Sequence, residues 1–422
     1  MRKSGSVYRL GIFIVACAVV LSCSHLLAQR PLLNDVQQVG KSIFLDHTLS
    51  INQNQACAAC HAAEVGWTGP VSMFNAHGAV YEGSIPGRFG NRKPPSAGYA
   101  TTSPILHVDR KGTWAGGNFW DGRATGKKLG NPAADQAQGP FLNPAEQALP
   151  DSACVVYRVC TGAYSTLFKK VMGAKACAIS WPNDVEPVCR TEGTQVDLTR
   201  SDRAISNRTY DKIALAIAAY EDSPEVNAFT SKFDLSRKGK AQLTAQERKG
   251  FALFQGKGKC NNCHVTTGQQ PLLTDYTYDN LGVPKNLENP VYDKDPDFID
   301  KGLGEFLKSI GQPPEVYEPN LGREKVPTLR NVDKRPYPGF VKAFGHNGYF
   351  KSLAEIVHFY NTRDVLPTCP PGSPGEGVDC WPVPEYPFNV NHDELGNLGL
   401  SAEEEAAIVA FLRTLSDGYR GK

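Results

Sequence analysis

The feature that most constrains this chain is a five-residue pattern that occurs twice, as Cys57-Ala58-Ala59-Cys60-His61 and as Cys260-Asn261-Asn262-Cys263-His264. Two thiols three positions apart are spaced to add across the two vinyl groups of one haem, and the histidine that follows then coordinates the iron. C-x-x-C-H is accordingly the attachment pattern of c-type haem. A single copy has a rival reading as a redox dithiol. Two copies, each behind a similar segment, favour two covalently bound c-type haems. They would be held by Cys57, Cys60, Cys260 and Cys263, with His61 and His264 as proximal ligands.

The surroundings of the two motifs repeat. A helical period over Val36 to Phe44 precedes the first. A capping box, Thr244-Ala245-Gln246-Glu247, and the apolar period Gly250 to Phe254 precede the second. An apolar helix follows each at a distance: Ile205 to Tyr220 after the first, and Ser401 to Leu415, opened by a second capping box, after the second. An early helix, a haem motif and a late packing helix make one cytochrome c-like unit. A length of 422 residues holds two such units, at a prior of ~150 residues per domain. The expected class is therefore mostly α, two cytochrome c-like haem domains with long loops and disulfide-stapled insertions. They would span residues 30–228 and 229–422, parted where Ser223-Pro224 and a Lys/Arg/Gly stretch interrupt the period.

Residues 1–29 read as an export signal. Arg2, Lys3 and Arg9 precede the apolar run Leu10 to Leu21, which is short for a membrane span of ~20 residues. Cleavage after Ala28 is the favoured reading. The alternative is a lipobox, Val20-Leu21-Ser22-Cys23, which would attach the protein to a membrane through a lipid on Cys23. A periplasmic location follows from either. Apart from the leader there are 42 basic and 43 acidic residues and no basic stripe, so no nucleic-acid partner is expected. Ten cysteines follow the leader, four of them in the haem motifs. The remaining six, an even number in an exported chain, point to disulfides. Cys369 and Cys380 bracket a Pro/Gly loop and should pair. Cys154, Cys160, Cys177 and Cys189 allow three pairings, and their spacing lacks the close pairs of a structural zinc site.

Further motifs carry a resemblance. Phe119-Trp120-Asp121-Gly122-Arg123-Ala124 is followed by Gln136-Ala137-Gln138-Gly139-Pro140 and Asn143-Pro144-Ala145-Glu146. After the second haem motif come Val326-Pro327-Thr328-Leu329-Arg330-Asn331-Val332, Gly345-His346-Asn347-Gly348 and Leu353-Ala354-Glu355-Ile356-Val357. In this order the runs resemble the bacterial di-haem cytochrome c peroxidase and MauG family over roughly residues 35 to 416. The resemblance implies an enzyme in which hydrogen peroxide reacts at the N-terminal haem while the C-terminal haem relays electrons. It assigns Glu146 to proton transfer in the peroxide pocket, Gln136 and Pro140 to its lining, and Trp120 to a bridge between the haems. Read alone, Trp120 is a good core residue and Glu146 a helix-start carboxylate.

The second axial ligands distinguish subclasses. His77, sixteen residues after His61, matches a distal histidine of the first haem, with Met73 as a neighbouring competitor. For the second haem the peroxidases use methionine, yet the three methionines here are Met1, Met73 and Met172, all before the second motif. Tyr360 occupies the matching position, as in the MauG branch. A phenolate is a hard anionic donor that stabilises oxidised iron, which implies a lower potential than methionine gives. His358 is the alternative; two helical positions differ by ~200°, so only one of them can face the haem. The family calcium would need an Asn where Lys93 stands and backbone oxygens near Lys334, so calcium is doubtful unless Asn91 shifts into place. Residues 78–118 and 150–200 read as insertions of unassigned function. The resemblance leaves two enzyme readings. One is a MauG-like oxidant of a partner protein. The other is an ordinary peroxidase fed by a small redox protein. A non-catalytic di-haem carrier is a third reading, disfavoured because electron transfer alone needs no proton-shuttling pocket. Family members often form homodimers.

Overall fold

The computed structural model describes residues 32–421; the leader and Cys23 lie outside them. Helix α1 (Asp35–Phe44) begins at Asn34, whose side chain accepts from the Gln37 amide while Gln37 returns the bond. Helix α2 (Pro132–Leu142) carries Pro at its first position and Asn131 as cap. Helix α3 (Ser152–Thr161) follows, then the long α4 (Arg200–Glu221). Helix α5 (Ala245–Gln255) has the expected capping box. Helices α6 (Leu353–Thr362) and α7 (Ala402–Arg413) complete the set used below, α7 opening on the Ser401/Glu404 box. Strands are short. β1 (His107–Val108) pairs antiparallel with β2 (Trp114–Ala115), His107 opposite Ala115. β3 (Tyr278–Asp279) pairs antiparallel with β4 (Glu324–Lys325), Tyr278 opposite Lys325.

The repeat read from the sequence is present as two matching helix crossings. At Gly40 on α1 a Cβ would fall 1.9 Å from the Ala216 carbonyl oxygen of α4; at Gly250 on α5 it would fall 1.8 Å from the Ala407 oxygen of α7. Only glycine lets the two backbones approach so closely. Aromatic rings lock both crossings. Phe44 meets Tyr220 at 5.5 Å, and Phe411 meets Phe251 and Phe254 at 4.9 and 5.1 Å. Two hydrophobic clusters form around these crossings, one from residues 39–226 and one from 233–415. Both belong to one compact unit that begins at Leu33. The mostly helical class is as expected.

Two readings are refined. The stretch 150–200 is more than a surface insertion: Val155 and Val156 of α3 are completely buried in the first cluster. Cys154–Cys189 and Cys160–Cys177 are the pairs the fold selects from three possibilities, and Cys369–Cys380 pairs as expected. The interruption near 222–240 contains a short capped helix, Lys232–Arg237. No helix of the described residues is long and apolar enough to cross a membrane.

Candidate functional site

Each haem motif lies on a tight turn, at Cys57–Ala59 and Cys260–Asn262, that presents its two cysteines and histidine to one cavity. The four cysteines form no disulfide. Both histidines are held the same way. His61 Nδ1 lies 3.1 Å from the Trp67 carbonyl and His264 Nδ1 lies 2.8 Å from the Leu273 carbonyl. A proton on Nδ1 donates to that carbonyl and leaves the Nε2 lone pair for a metal, the usual arrangement of a ligating imidazole. The carbonyls are aimed by a rare backbone: Trp67 has φ +64° and Leu273 φ +56°. A left-handed conformation at two bulky residues, each serving a haem-motif histidine, is strain spent at a site. The next residue pins each loop. Thr68 Oγ1 donates to Pro94 O at 2.6 Å, and Thr274 Oγ1 to Val326 O at 2.7 Å.

The two cavities enclose about 1170 and 1720 Å³ of space, their solvent-open mouths included. Cys57, Cys60, His61, Trp120, Gln136, Pro140 and Glu146 all line the first. Gln136 and Pro140 are four residues apart on α2 and so share a face. Proline at 140 also leaves the Gln136 carbonyl without its helical donor. Desolvation raises the Glu146 carboxyl above its usual range, partly offset by Arg123 and by a hydrogen bond from Asn143.

Cys260, Cys263, His264 and Tyr360 line the second cavity, and no methionine does. Burial raises the Tyr360 phenol well above its usual range. His358, two residues earlier, points elsewhere: Nδ1 meets Glu405 at 3.1 Å and Nε2 lies 3.3 Å from the Val378 carbonyl. Trp120 lines both cavities and is 8% exposed, its Nε1 donating to the Lys93 carbonyl at 2.9 Å. It forms the wall between them with Pro95, Ser96 and the segment Lys325–Thr328.

His77 is not brought to the first cavity. Its side chain is 64% exposed and paired with Glu288 at 3.0 Å, and Met73 is also exposed. His77 ends a one-turn helix, Ser72–Ala76, from which its ring faces the surface, a direction that sequence spacing does not give.

Sequence reasoning missed Glu221 and weighed the buried lysines only in part. Glu221, the last residue of α4, lines the first cavity with no cation beside it, and burial raises its carboxyl to about 8. Its signal was a carboxylate closing the apolar run Ile213 to Tyr220. Lys93 is buried and Lys325 largely so, both with neutral partners only. Lys93 Nζ donates to Thr68 Oγ1 and the Pro94 carbonyl, both at 3.1 Å. Lys325 Nζ donates to Ser103 Oγ at 2.7 Å and Asn118 Oδ1 at 3.0 Å. Burial lowers them to about 8 and about 7. Lys342 donates to the carbonyls of Val65 and Asn331, at 2.8 and 2.7 Å. Buried ammonium groups without a carboxylate suit a cofactor that brings its own, as haem does with two propionates. The donor set thus fits two c-type haems.

Comparison with known proteins agrees with this geometry. Residues 34–242 match the family model described as di-haem cytochrome c peroxidase. The methylamine utilization protein MauG of Paracoccus denitrificans (strain Pd 1222) is 32% identical over 395 residues, covering 92% of this chain and 90% of that protein. The cytochrome-c peroxidase IdrP1 of Denitromonas iodatirespirans is 26% identical over 404 residues, covering 92% and 83%. Among solved structures, the diheme peroxidase BthA from Burkholderia thailandensis E264 superposes with a TM-score of 0.71 at 28% identity, covering 92% and 87%.

Proposed function

This chain belongs to the di-haem cytochrome c peroxidase family, and on that premise we propose that it is an exported enzyme that cleaves hydrogen peroxide in the first cavity and draws the electrons through the second. Reduction of hydrogen peroxide to two waters takes two electrons and two protons. The two haems supply the redox chemistry when bound, held by Cys57, Cys60 and His61 and by Cys260, Cys263 and His264. Lys93 and Lys325 offer ammonium groups to propionates. Two units, 30–228 and 229–422, would each carry one haem.

Within the first cavity this chain contributes proton handling. Splitting the O–O bond requires a proton to leave one oxygen and arrive on the other. Glu146, desolvated and therefore a stronger base than a surface carboxylate, is suited to carry it. Gln136 offers an amide that both donates and accepts, which orients peroxide against Glu146. Pro140 narrows the same wall and adds no competing donor. Trp120 spans the partition, so an electron passing between the cavities has an aromatic ring in its path.

The finer reading is MauG-like: Tyr360 is the second ligand of the C-terminal haem, and the reductant is a partner protein. One observation carries it, namely that Tyr360 lines the second cavity with His264 while no methionine among the described residues does. Ammonium at Lys93 weighs against calcium beside it. The ordinary peroxidase, reduced by a small redox protein, is the second reading. Redox potentiometry separates them. A potential for the C-terminal haem far below that of a His/Met cytochrome supports Tyr360 ligation, and a high potential removes it.

A further inference from the structure

Behind Trp120 lies a buried polar cluster that peroxide chemistry does not use. Asp300, Glu324 and His346 place one ligand atom each within 4.8 Å of one another. Their side chains are 3%, 10% and 11% exposed. Both carboxylate oxygens of Glu324 and the Nε2 of His346 are buried without a hydrogen-bond partner. Glu385 adds a fourth group, its Oε2 3.5 Å from His346 Nε2. Three carboxylates, those of Asp121, Asp300 and Glu324, thus surround one buried guanidinium, Arg92, with Arg123 reaching Asp121 from outside. Burying a carboxylate without a hydrogen-bond partner is costly, and a bound cation offsets that cost.

The surrounding bonds suit a metal ligand set. Asp300 is oriented by Arg92, whose Nε and Nη2 each donate to it at 2.6 Å, and by the Gly302 amide at 3.0 Å. Ligating carboxylates are ordinarily hydrogen-bonded on their far side in this way. Glu324 stands on β4, and the His346 carbonyl is held by the Lys93 amide at 2.8 Å, so the backbone fixes two of the donors. Asp300, Glu324, His346 and Glu385 all border the second cavity, on its Trp120 side. It is separate from the Lys93 ammonium, which bonds Thr68 and Pro94.

We propose that Asp300, Glu324 and His346, completed by Glu385, bind one divalent first-row transition-metal ion. One imidazole with two or three carboxylates is the donor chemistry of manganese and of zinc. Bonds of ~2.0–2.2 Å require donor atoms no more than ~4.4 Å apart, which a small side-chain rotation achieves from the distances present.

The test uses the intact di-haem protein, treated with EDTA, dialysed and titrated with manganese chloride. Loss of the electron paramagnetic resonance signal of free aqueous manganese measures binding, and zinc chloride competition decides which ion is preferred. The site predicts one ion per chain, bound at least tenfold more weakly in Glu324→Gln and in Asp300→Asn, both retaining two haems. A wild-type protein that takes up no stoichiometric manganese or zinc, or a Glu324→Gln protein that binds as tightly as wild type, overturns the site and leaves the cluster holding protons only. If either variant fails to fold, the wild-type titration decides alone.

Discussion

Trp120 and His346 sit in mirrored backbone exchanges. The Lys325 amide donates to the Trp120 carbonyl at 2.8 Å, the Lys93 amide donates to the His346 carbonyl at 2.8 Å, and the two rings meet edge to face at 6.5 Å. Each residue lies in a loop closed by an antiparallel bridge, Asn118 to Ala124 around one and Phe344 to Phe350 around the other. The partition between the cavities is therefore built from both halves of the repeat, and Trp120 is its aromatic element on both sides.

Replacing that ring tests its role. Trp120→Phe keeps most of the packing but loses the bond to the Lys93 carbonyl. Peroxide should still react in the first cavity, while oxidation of the C-terminal haem slows at least about tenfold, ~1.4 kcal/mol of barrier. Rapid-mixing absorption spectra, which resolve the two haems, check this. An unchanged rate assigns Trp120 to packing alone.

Glu146→Gln removes the proton carrier and preserves shape. The rate of peroxide reaction should fall by roughly 10²–10⁴ with haem content unchanged. Because burial raises the Glu146 carboxyl, the acid limb of the wild-type rate should lie above the usual carboxylate range, and activity should fall as pH drops through it. The variant should lack that limb.

Tyr360→Met offers the second haem a softer ligand. Its potential should rise by on the order of 0.1 V or more, within the ~0.8 V that axial ligands control. Tyr360→Phe should leave that haem with an open or weakly filled position, visible in its ferric spectrum. A potential unmoved by both changes excludes Tyr360 as a ligand.

Glu221 makes stability depend on pH. Its folded-state carboxyl is raised from 4.5 to about 8 by burial. Between those values the folded chain keeps a proton that the unfolded chain has released. Stability therefore falls as pH rises through this window, by at most about 1.4 kcal/mol per pH unit. Glu221→Gln should melt higher than wild type at pH 8 and close to it at pH 5. Equal differences at both pH values contradict the assignment.

What was legible in the sequence was what chemistry writes locally. The C-x-x-C-H pattern, the two capping boxes and the helix around Gly40 each depend on neighbours a few residues away. Features that depend on chain direction or on distant contacts were not legible. His77 lies at a suggestive distance from His61, but a one-turn helix faces it outward toward Glu288. Glu221 closes an apolar run, but its place against the first cavity depends on where α4 packs. Four cysteines in one segment permit three pairings, and only the packing of α3 selects Cys154–Cys189. Lys342 had no signal at all, because its partners, the carbonyls of Val65 and Asn331, belong to segments far apart in the chain.

The most direct measurement mixes the fully ferric protein with hydrogen peroxide and follows absorption from the visible into the near infrared. The account predicts a fast reaction without prior reduction and a long-lived oxidised state in which both haem spectra change, with a near-infrared band from their coupling through Trp120. Inertness until one electron is supplied would contradict it, and would mark a reductively activated peroxidase in which a ligand must first leave the N-terminal haem.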